Sequence, residues 1–415
     1  MFNSIKLGWF LAIRTVQHAS KWTTGLIIFV MILTFLNLVV VSGILVGLIQ
    51  GSEVAFREKL YSDVGVQALE KKNSILKTNE ILSLVDSLPE VKARAVRYTN
   101  FGNIEANYAT RKSDDLANKK GVNIRGISPE DESIVTTLNE NILEGEYLNR
   151  EDASKYILVG KDILAKYSIV SDVDTTALRD VEPGTKVKIT IASTTAEYIV
   201  KGIVKIKAGD LSSSVFMVDS EVRKLANKQL SDADEIAIKM IDTKDAAKVR
   251  DILKNNGFGD YAKIQTFEEG TPAFVIQMKQ LFGLLGSVFG SIGIVVAAIT
   301  LFIVIFINAI TKRKQIGILK GIGISPNTIL WSYVFQSMFY AIVGSLIGLA
   351  LTFYVIKPFF INHPIDFPFS DGILVAEVST TLMRVGILIV VALFAGLIPS
   401  WMVVRKNTLN AILGR

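Results

Sequence analysis

The chain has 415 residues, half of them hydrophobic, with a mean hydropathy of +0.41 and a formal net charge of +6. That is too apolar for an ordinary soluble enzyme of this length, and the absence of cysteine excludes disulfides and thiolate chemistry. Nor is the positive charge a nucleic-acid signal: residues 51–271 hold 36 of the 39 acids and 32 of the 45 bases, so cations are in excess only in short segments elsewhere.

Residues 1–24 place Phe2, Ile5, Trp9, Ile13 and Val16 on one helical face and Lys6, Arg14 and Lys21 towards the other. This is the pattern of an amphipathic helix lying in a membrane interface. Residues 26–49 carry no charge, enough at about 1.5 Å per residue to cross roughly 30 Å of hydrocarbon. A first span is therefore predicted over 25–50. Its apolar run is too long for a cleavable leader, and no small-residue cleavage site follows.

Residues 51–272 read as a mixed α and β domain. "NEILSLVDSLPEVKARAVRY" predicts a helix stopped before Pro89 and then a strand. "KYILVGKDILAKYSIV" predicts a strand, a turn at Gly160 and a helix. "GTKVKITI" and "AEYIVKGIVKI" alternate as strands after the Pro183-Gly184 turn, and "SSVFMV" is another. Residues 242–256 predict a helix ending at Gly257. Some 220 residues suffice for one core or two smaller ones.

Charge-free runs over 281–310, 329–356 and 385–404 predict three further spans, at 273–310, 329–356 and 383–404. They are separated by a short segment (311–328) and a loop (357–382), and followed by a tail (405–415). Residues 1–24, the 311–328 segment and the tail carry bases and no acid: Lys6, Arg14 and Lys21; Lys312, Arg313, Lys314 and Lys320; Arg405, Lys406 and Arg415. Four spans put these three segments on one side. Positive charge favours the cytoplasmic side, so both termini are predicted inside and the large domain outside. Trp9, Trp22, Trp331 and Trp401 all fall near that inner interface, as interfacial tryptophans do.

The spans are marked by glycine: Gly43 and Gly47 in the first, Gly283, Gly286, Gly290 and Gly293 in the second, Gly344 and Gly348 in the third. Small residues three or four apart let helices approach closely, so these are candidate packing faces. Asn37, within the first span, predicts an interhelical hydrogen bond.

Catalytic patterns are absent. There is no G-x-x-x-x-G-K-[ST], and the single Gly-Lys pair, Gly160-Lys161, is followed by Asp162. Neither G-x-S-x-G nor H-E-x-x-H occurs. His18 and His363, the only histidines, fall on opposite sides of the predicted membrane, so no metal site is expected. Glu268-Glu269 reads as a solvated acidic step. The expectation is a chain without catalytic residues and without a cofactor of its own.

The 311–328 segment, "TKRKQIGILKGIGISPNT", is unlike a plain loop. Ile316 and Leu319 are three apart, and Lys312, Ile316 and Lys320 are four apart, so a helical turn would present apolar knobs beside cations. The expectation is that a partner docks on those knobs.

The whole arrangement, one span, a large outer domain and then three spans, resembles the FtsX/MacB superfamily of ABC transporter permeases. Within it, "NIRGISPEDE", "LEGEYL", "YILVGKDILAKY", "VEPGTKVKI" and "YIVKGIVKIKAGDLSSSVFM" follow in the order of lipoprotein-releasing permeases of LolC/LolE type. "TKRKQIGILKGIGIS" is similar to that superfamily's cytoplasmic coupling helix, and "PSWMVVRKNTLNAIL" to its C-terminal ending. The chain departs from the pattern where Gln315 and Thr311 stand in usually acidic positions and Thr408 replaces a proline. The resemblance implies a membrane protein of four transmembrane helices with an α+β extracytoplasmic domain of MacB-like periplasmic type, in the bacterial inner membrane. It implies coupling to the ATPase through Lys312, Arg313, Lys314, Gln315, Ile316, Gly317, Leu319, Lys320, Gly323 and Ser325. The implied partners are two cytosolic ATPase subunits holding ATP and Mg²⁺, a second permease, identical or paralogous, and an extracytoplasmic carrier or adaptor. The implied action is mechanotransmission in lipoprotein, lipid or hydrophobic substrate release or export. An FtsX-like regulator of a cell-wall hydrolase is the alternative, with a MacB-type exporter further off because MacB carries a fused ATPase domain.

Overall fold

The structure, a computed structural model, describes residues 2–70, 72–109, 117–167, 177–207, 209–228, 233–271, 273–363, 365–367, 370–372 and 374–405. The expectations that rest on Lys406, Thr408 and Arg415 lie outside the described residues. The chain forms two compact units, one of residues 1–49, 277–367 and 371–415, the other of residues 50–276 and 368–370. Among the described residues four helices are long and apolar enough to cross a membrane: Lys21–Tyr61, Val275–Thr311, Pro326–Asn362 and Val378–Met402.

The chain opens with α1 (Phe2–Gln17) and α2 (Lys21–Phe56). The helical backbone runs on past the predicted end of the first span, through Phe56 and a π-helical stretch Arg57–Tyr61. Charge marks the end of an apolar run, but it does not stop a helix whose polar continuation finds something to pack on.

In the second unit that continuation is buried. Strands β1 (Val64–Ala68), β2 (Val91–Ala106), β3 (Lys119–Ile127), β4 (Ile142–Gly145), β5 (Tyr156–Gly160), β6 (Lys186–Ile191), β7 (Thr194–Val204), β8 (Ser214–Val218), β9 (Glu235–Met240) and β10 (Ala262–Thr266) form a sheet ordered β10-β1-β9-β2-β3-β8-β5-β7-β4, with β6 pairing β2 and β7. β3 with β8 and β5 with β7 are parallel, and the remaining pairs are antiparallel. Residues 161–167 form two 3-10 turns, Lys161–Ile163 and Ala165–Tyr167, where the sequence predicted an α-helix. Leu164, between them, is buried and pairs in extended form with Leu178.

The sixteen-residue β2 serves two cores. Its first half pairs β9, and that part of the sheet packs on α3 (Thr78–Ser87) and α6 (Ala246–Asn255) through Val66, Ile81, Val85, Ile236, Val249 and Leu253. α6 stops where Gly257 takes φ +81°, a left-handed conformation that glycine adopts without penalty. The second half of β2 pairs β3 and β6 around a core of Ile104, Ile124, Val159, Ile189, Val200 and Val215, to which α5 (Asp219–Leu225) adds Val222. β2 thus runs through two separate cores of the domain.

A third cluster takes in the helical stems. Phe56 and Leu60 from the end of the first long helix, Phe267 from α7 (Phe267–Gly270) and Val275 pack with Leu138, Leu148, Leu158 and Phe216. Beside it lies a buried charge group. Arg97 on β2 forks onto Glu132 of α4 (Pro129–Val135) at 2.8 and 3.1 Å, reaches Glu235 on β9 at 3.1 Å, and donates to the carbonyl of Leu60. Burial alone would lower the Arg97 pKa, but the two carboxylates more than reverse it and hold the guanidinium charged. Glu268-Glu269 is more than a solvated step. Glu269 completes a capping box with Thr266 and pairs with Arg250, and Glu268 lies 3.7 Å from Arg57.

The chain then returns to the first unit with α8 (Ala273–Thr311), α9 (Arg313–Gly321) and α10 (Pro326–Leu351). It continues through a π-helical turn (Thr352–Ile356), α11 (Lys357–Asn362) and α12 (Val378–Val404). Helical backbone thus persists to Asn362, beyond the predicted end of the third span. α10 is held to α12 where the Ser337 hydroxyl donates to the Ala392 carbonyl at 2.9 Å beside Gly396. α1 packs on α10 through the small face Gly8/Ala12, which is buried, while Leu7, Trp9, Phe10 and Ile13 are exposed. Of the face that predicted an interfacial helix, Trp9 and Ile13 are exposed, with Trp9 also edge-on to Phe335 of α10 at 5.2 Å, whereas Ile5 and Val16 are half-buried. A Cβ at Gly8 would lie 2.8 Å from Trp331 Cβ, closer than real side chains come.

Candidate partner-docking site

The segment between the second and third spans is a helix with both ends fixed. α8 ends at Thr311, Lys312 leaves helical geometry (φ −93°, ψ 11°), and α9 runs from Arg313 to Gly321. Its C-terminus closes as a Schellman motif: the Ile324 amide donates to the Leu319 carbonyl at 3.0 Å and the Gly323 amide to Lys320 at 3.1 Å. Gly323, at φ +94°, permits that turn. Ser325 then caps α10, its hydroxyl accepting from the Thr328 amide at 3.3 Å, and Pro326 takes the first helical position. The role of Ser325 in the fold is therefore that of a cap.

The helix has two apolar stripes, and the protein itself uses one. Ile316, 4% exposed, packs with Ile305, Ala309, Ile329, Tyr333 and Val404, and Leu319 flanks the same cluster. This corrects the expectation that Ile316 and Leu319 are the outward knobs. They bind the segment to its own bundle, because the four-residue register that carries Ile316 also carries the face turned to α8 and α10. Gly317 is buried with them. Lys320, expected beside the knobs, donates to the Val404 carbonyl at 2.7 Å and so caps the C-terminal end of α12. Lys312 is half-buried, and burial lowers its pKa.

What faces outward is a different set: Arg313, Lys314, Gln315, Ile318, Gly321, Ile322 and Gly323 are exposed. Ile318 is 49% exposed and Ile322 71%, four residues apart on one face. Ile322 adjoins Gly323, one of the coupling residues that the sequence resemblance implies. Ile318 was missed, although its i, i+4 partnership with Ile322 is visible there.

The glycine faces divide likewise. A Cβ at Gly344 would lie 2.6 Å from Met31 Cβ, and one at Gly348 would collide with the Phe35 ring, so these two seat α10 on α2. Gly47 is buried. At Gly43 the nearest atoms to an added Cβ would be those of Leu374 and Val375, and the Val375 amide donates to the Gly43 carbonyl at 3.1 Å. On α8, Gly293 faces Asn37 and Leu38, Gly290 faces Ser42 and Gly286 faces Leu45 at ordinary van der Waals distance, and Gly283 faces open space. The close approaches at Gly8 and Gly396 were missed, since an isolated glycine carries no spacing signal.

Among the described residues no group of three or more His, Asp or Glu is placed to hold a metal ion. His18 Nδ1 is 2.9 Å from the Arg14 carbonyl, and His363 stacks on Phe359.

Comparison with known proteins bears on the membrane unit directly. Residues 287–408 match the family described as FtsX-like permease C-terminal. Among solved structures, the chain is similar to the periplasmic region of MacB from Actinobacillus actinomycetemcomitans, at 14% identity and a TM-score of 0.35, over 49% of this chain and 88% of that one. It is also similar to the extracellular domain of the noncanonic ABC-type transporter YknZ from Gram-positive bacteria, at 11% identity and a TM-score of 0.33, over 49% of this chain and 98% of that one. The stretch from within the second span through the fourth, which includes α9, is therefore similar to an FtsX-like permease C-terminal domain.

Proposed function

We propose that the chain is the membrane subunit of an ABC-type transporter whose ATPase is a separate cytosolic protein docking on the outer face of α9. One observation carries the reading. α9 is anchored on its inner face by Ile316, Leu319 and Lys320, and presents Lys314, Gln315, Ile318 and Ile322 outward. A rigid helix with an apolar pair beside cations is suited to a groove on a partner. ATP and Mg²⁺ belong to that partner, and this chain supplies no catalytic group.

In this reading the positively charged segments are cytoplasmic, the 50–276 unit lies outside, and the complex holds two ATPases with a second permease in the inner membrane. Force on the first two spans reaches the outer domain through their stems, which supports mechanotransmission: Phe56, Leu60, Phe267 and Val275 are part of that domain's packing, and the Leu60 carbonyl is held by Arg97. The substrate class that fits is a lipoprotein, lipid or other hydrophobic molecule, passed to an extracytoplasmic carrier or adaptor as in LolC/LolE-type permeases.

A photocrosslinking residue at Ile322 or Gln315 in intact cells tests the reading. The expected product is an adduct with an ATP-binding subunit, identified by its P-loop peptide, while the same residue at Ile316 links only within the chain. Adducts from Ile322 confined to lipid would refute it.

A further inference from the structure

A cleft of about 230 Å³ opens in the 50–276 unit where β2 passes from one core to the other. Val96, which lines it, packs against both cores, and α3, α4 and α5 supply Leu82, Asp131 and Asp219. The cleft is smaller than the pockets of roughly 300–1,000 Å³ that take drug-sized ligands. An occupant would have the bulk of about one or two amino-acid residues. Five charged side chains line it: Arg94, Arg150, Arg223, Asp131 and Asp219. Three of these are already committed within the fold. Arg94 forks onto Asp86 through Nε and Nη2, both at 2.9 Å, and Arg223 donates to Asp219 at 3.0 Å.

One charge of each sign is left over. Arg150 is exposed and Asp131 half-buried, and among the described residues neither side chain makes a hydrogen bond or an ion pair. The fork to Asp86 raises the Arg94 pKa and the Asp131 charge adds to it, so Asp131 lies near Arg94 while keeping its acceptor oxygens free. A plain anion entering the cleft would gain Arg150 but face Asp131 and Asp219, and a plain cation would meet the reverse. A molecule carrying both charges satisfies the two unpaired groups together. The wall between them includes the apolar side chains of Leu82, Val96 and Pro129.

We propose that this cleft binds a small zwitterion, an aliphatic amino acid or dipeptide. Its carboxylate accepts from Arg150, its ammonium donates to Asp131, and its side chain lies against Leu82 and Val96. Bound there, it braces the junction between the two halves of the domain. This holds whether or not an ATPase docks on α9.

Isothermal titration calorimetry of the full-length protein in detergent tests this, with L-leucine and glycyl-L-leucine as probes. Each is compared with its N-acetyl form, which keeps only the carboxylate, and its C-terminal amide, which keeps only the ammonium. At least one zwitterion should bind, and blocking either end should weaken it about tenfold or more, the weight of one hydrogen bond between charged groups. Arg150→Gln should bind the zwitterion no better than its amide. Asp131→Asn should bind it no better than its N-acetyl form. Both side chains are accessible and bond to nothing in the fold, so both variants should unfold at the wild-type temperature, and the comparison within each variant is independent of yield. Failure of both zwitterions to bind, equal binding of a blocked form, or an unchanged preference in either variant would overturn the proposal. Tighter binding of an N-acetyl form would also overturn it, in favour of a plain anion site.

Discussion

Replacing Ile316 and replacing Ile318 with Ile322 should damage the protein in opposite ways. Ile316 is 4% exposed among Ile305, Ala309, Ile329, Tyr333 and Val404, so Ile316→Ala leaves a cavity in a packed cluster and should cost about 2–5 kcal/mol of stability. Ile318 and Ile322, at 49% and 71% exposure, lose little when changed to Asp, on the order of 0.5 kcal/mol each. At a partner groove the order reverses. A pair of aspartates buried without partners there should cost at least about 2 kcal/mol, or roughly a thirtyfold loss of affinity. The assay has two arms: thermal unfolding of the purified protein in detergent, and titration of the ATPase subunit against it with hydrolysis as readout. Ile316→Ala should lower the unfolding temperature and keep affinity in the surviving fraction, whereas Ile318→Asp/Ile322→Asp should melt like the wild type and fail to bind. Normal ATPase binding by the double aspartate would refute the assignment of the outer stripe.

Other outcomes follow from the same geometry. Gly344→Leu should destabilise the membrane unit by about 1–3 kcal/mol, seen as a lower unfolding temperature, because the added side chain meets Met31, while Gly283→Leu should leave it unchanged. Arg97→Met strands Glu132 in the interior and leaves Glu235 with Arg125 at 3.9 Å, and should cost about 3–5 kcal/mol, read by protease sensitivity of the 50–276 unit in the full chain. Lys320→Met should remove the cap on Val404 and weaken folding by about 1 kcal/mol, whereas Lys314→Met should leave folding alone and make ATPase association slower and less sensitive to salt. Cysteine at Asn327 should be protected from an impermeant thiol reagent in intact cells and cysteine at Ser193 labelled; the reverse would invert the topology.

The large outline was legible because its causes are local. Charge-free runs, strand alternation and the Pro89 and Gly257 stops each act through a few adjacent residues. What escaped were facts about which neighbour a face meets. The sequence of α9 offers Ile316 with Leu319 and Ile318 with Ile322, and periodicity alone cannot say which pair the bundle claims. The first long helix outruns its apolar stretch because Phe56 and Leu60 find a core to enter, and that core is built from residues up to 219 positions away. "GKDILAKY" has helical composition yet forms 3-10 turns around Leu164, which the sheet side of the domain takes in extended form. Gly8 lies among large residues and carries no repeat; only the approach of Trp331 gives it meaning.

The length of β2 has a mechanical consequence. Because one strand supplies hydrogen bonds to both cores, neither can shear away from the other without tearing the ladder at Arg97, where pairing passes from β9 to β3 and the buried guanidinium also grips the stem of the first span. A push arriving at Leu60 is therefore shared at once between the two halves. The domain should answer as a single lever, and hydrogen exchange along Val91–Ala106 should show one common opening rather than two.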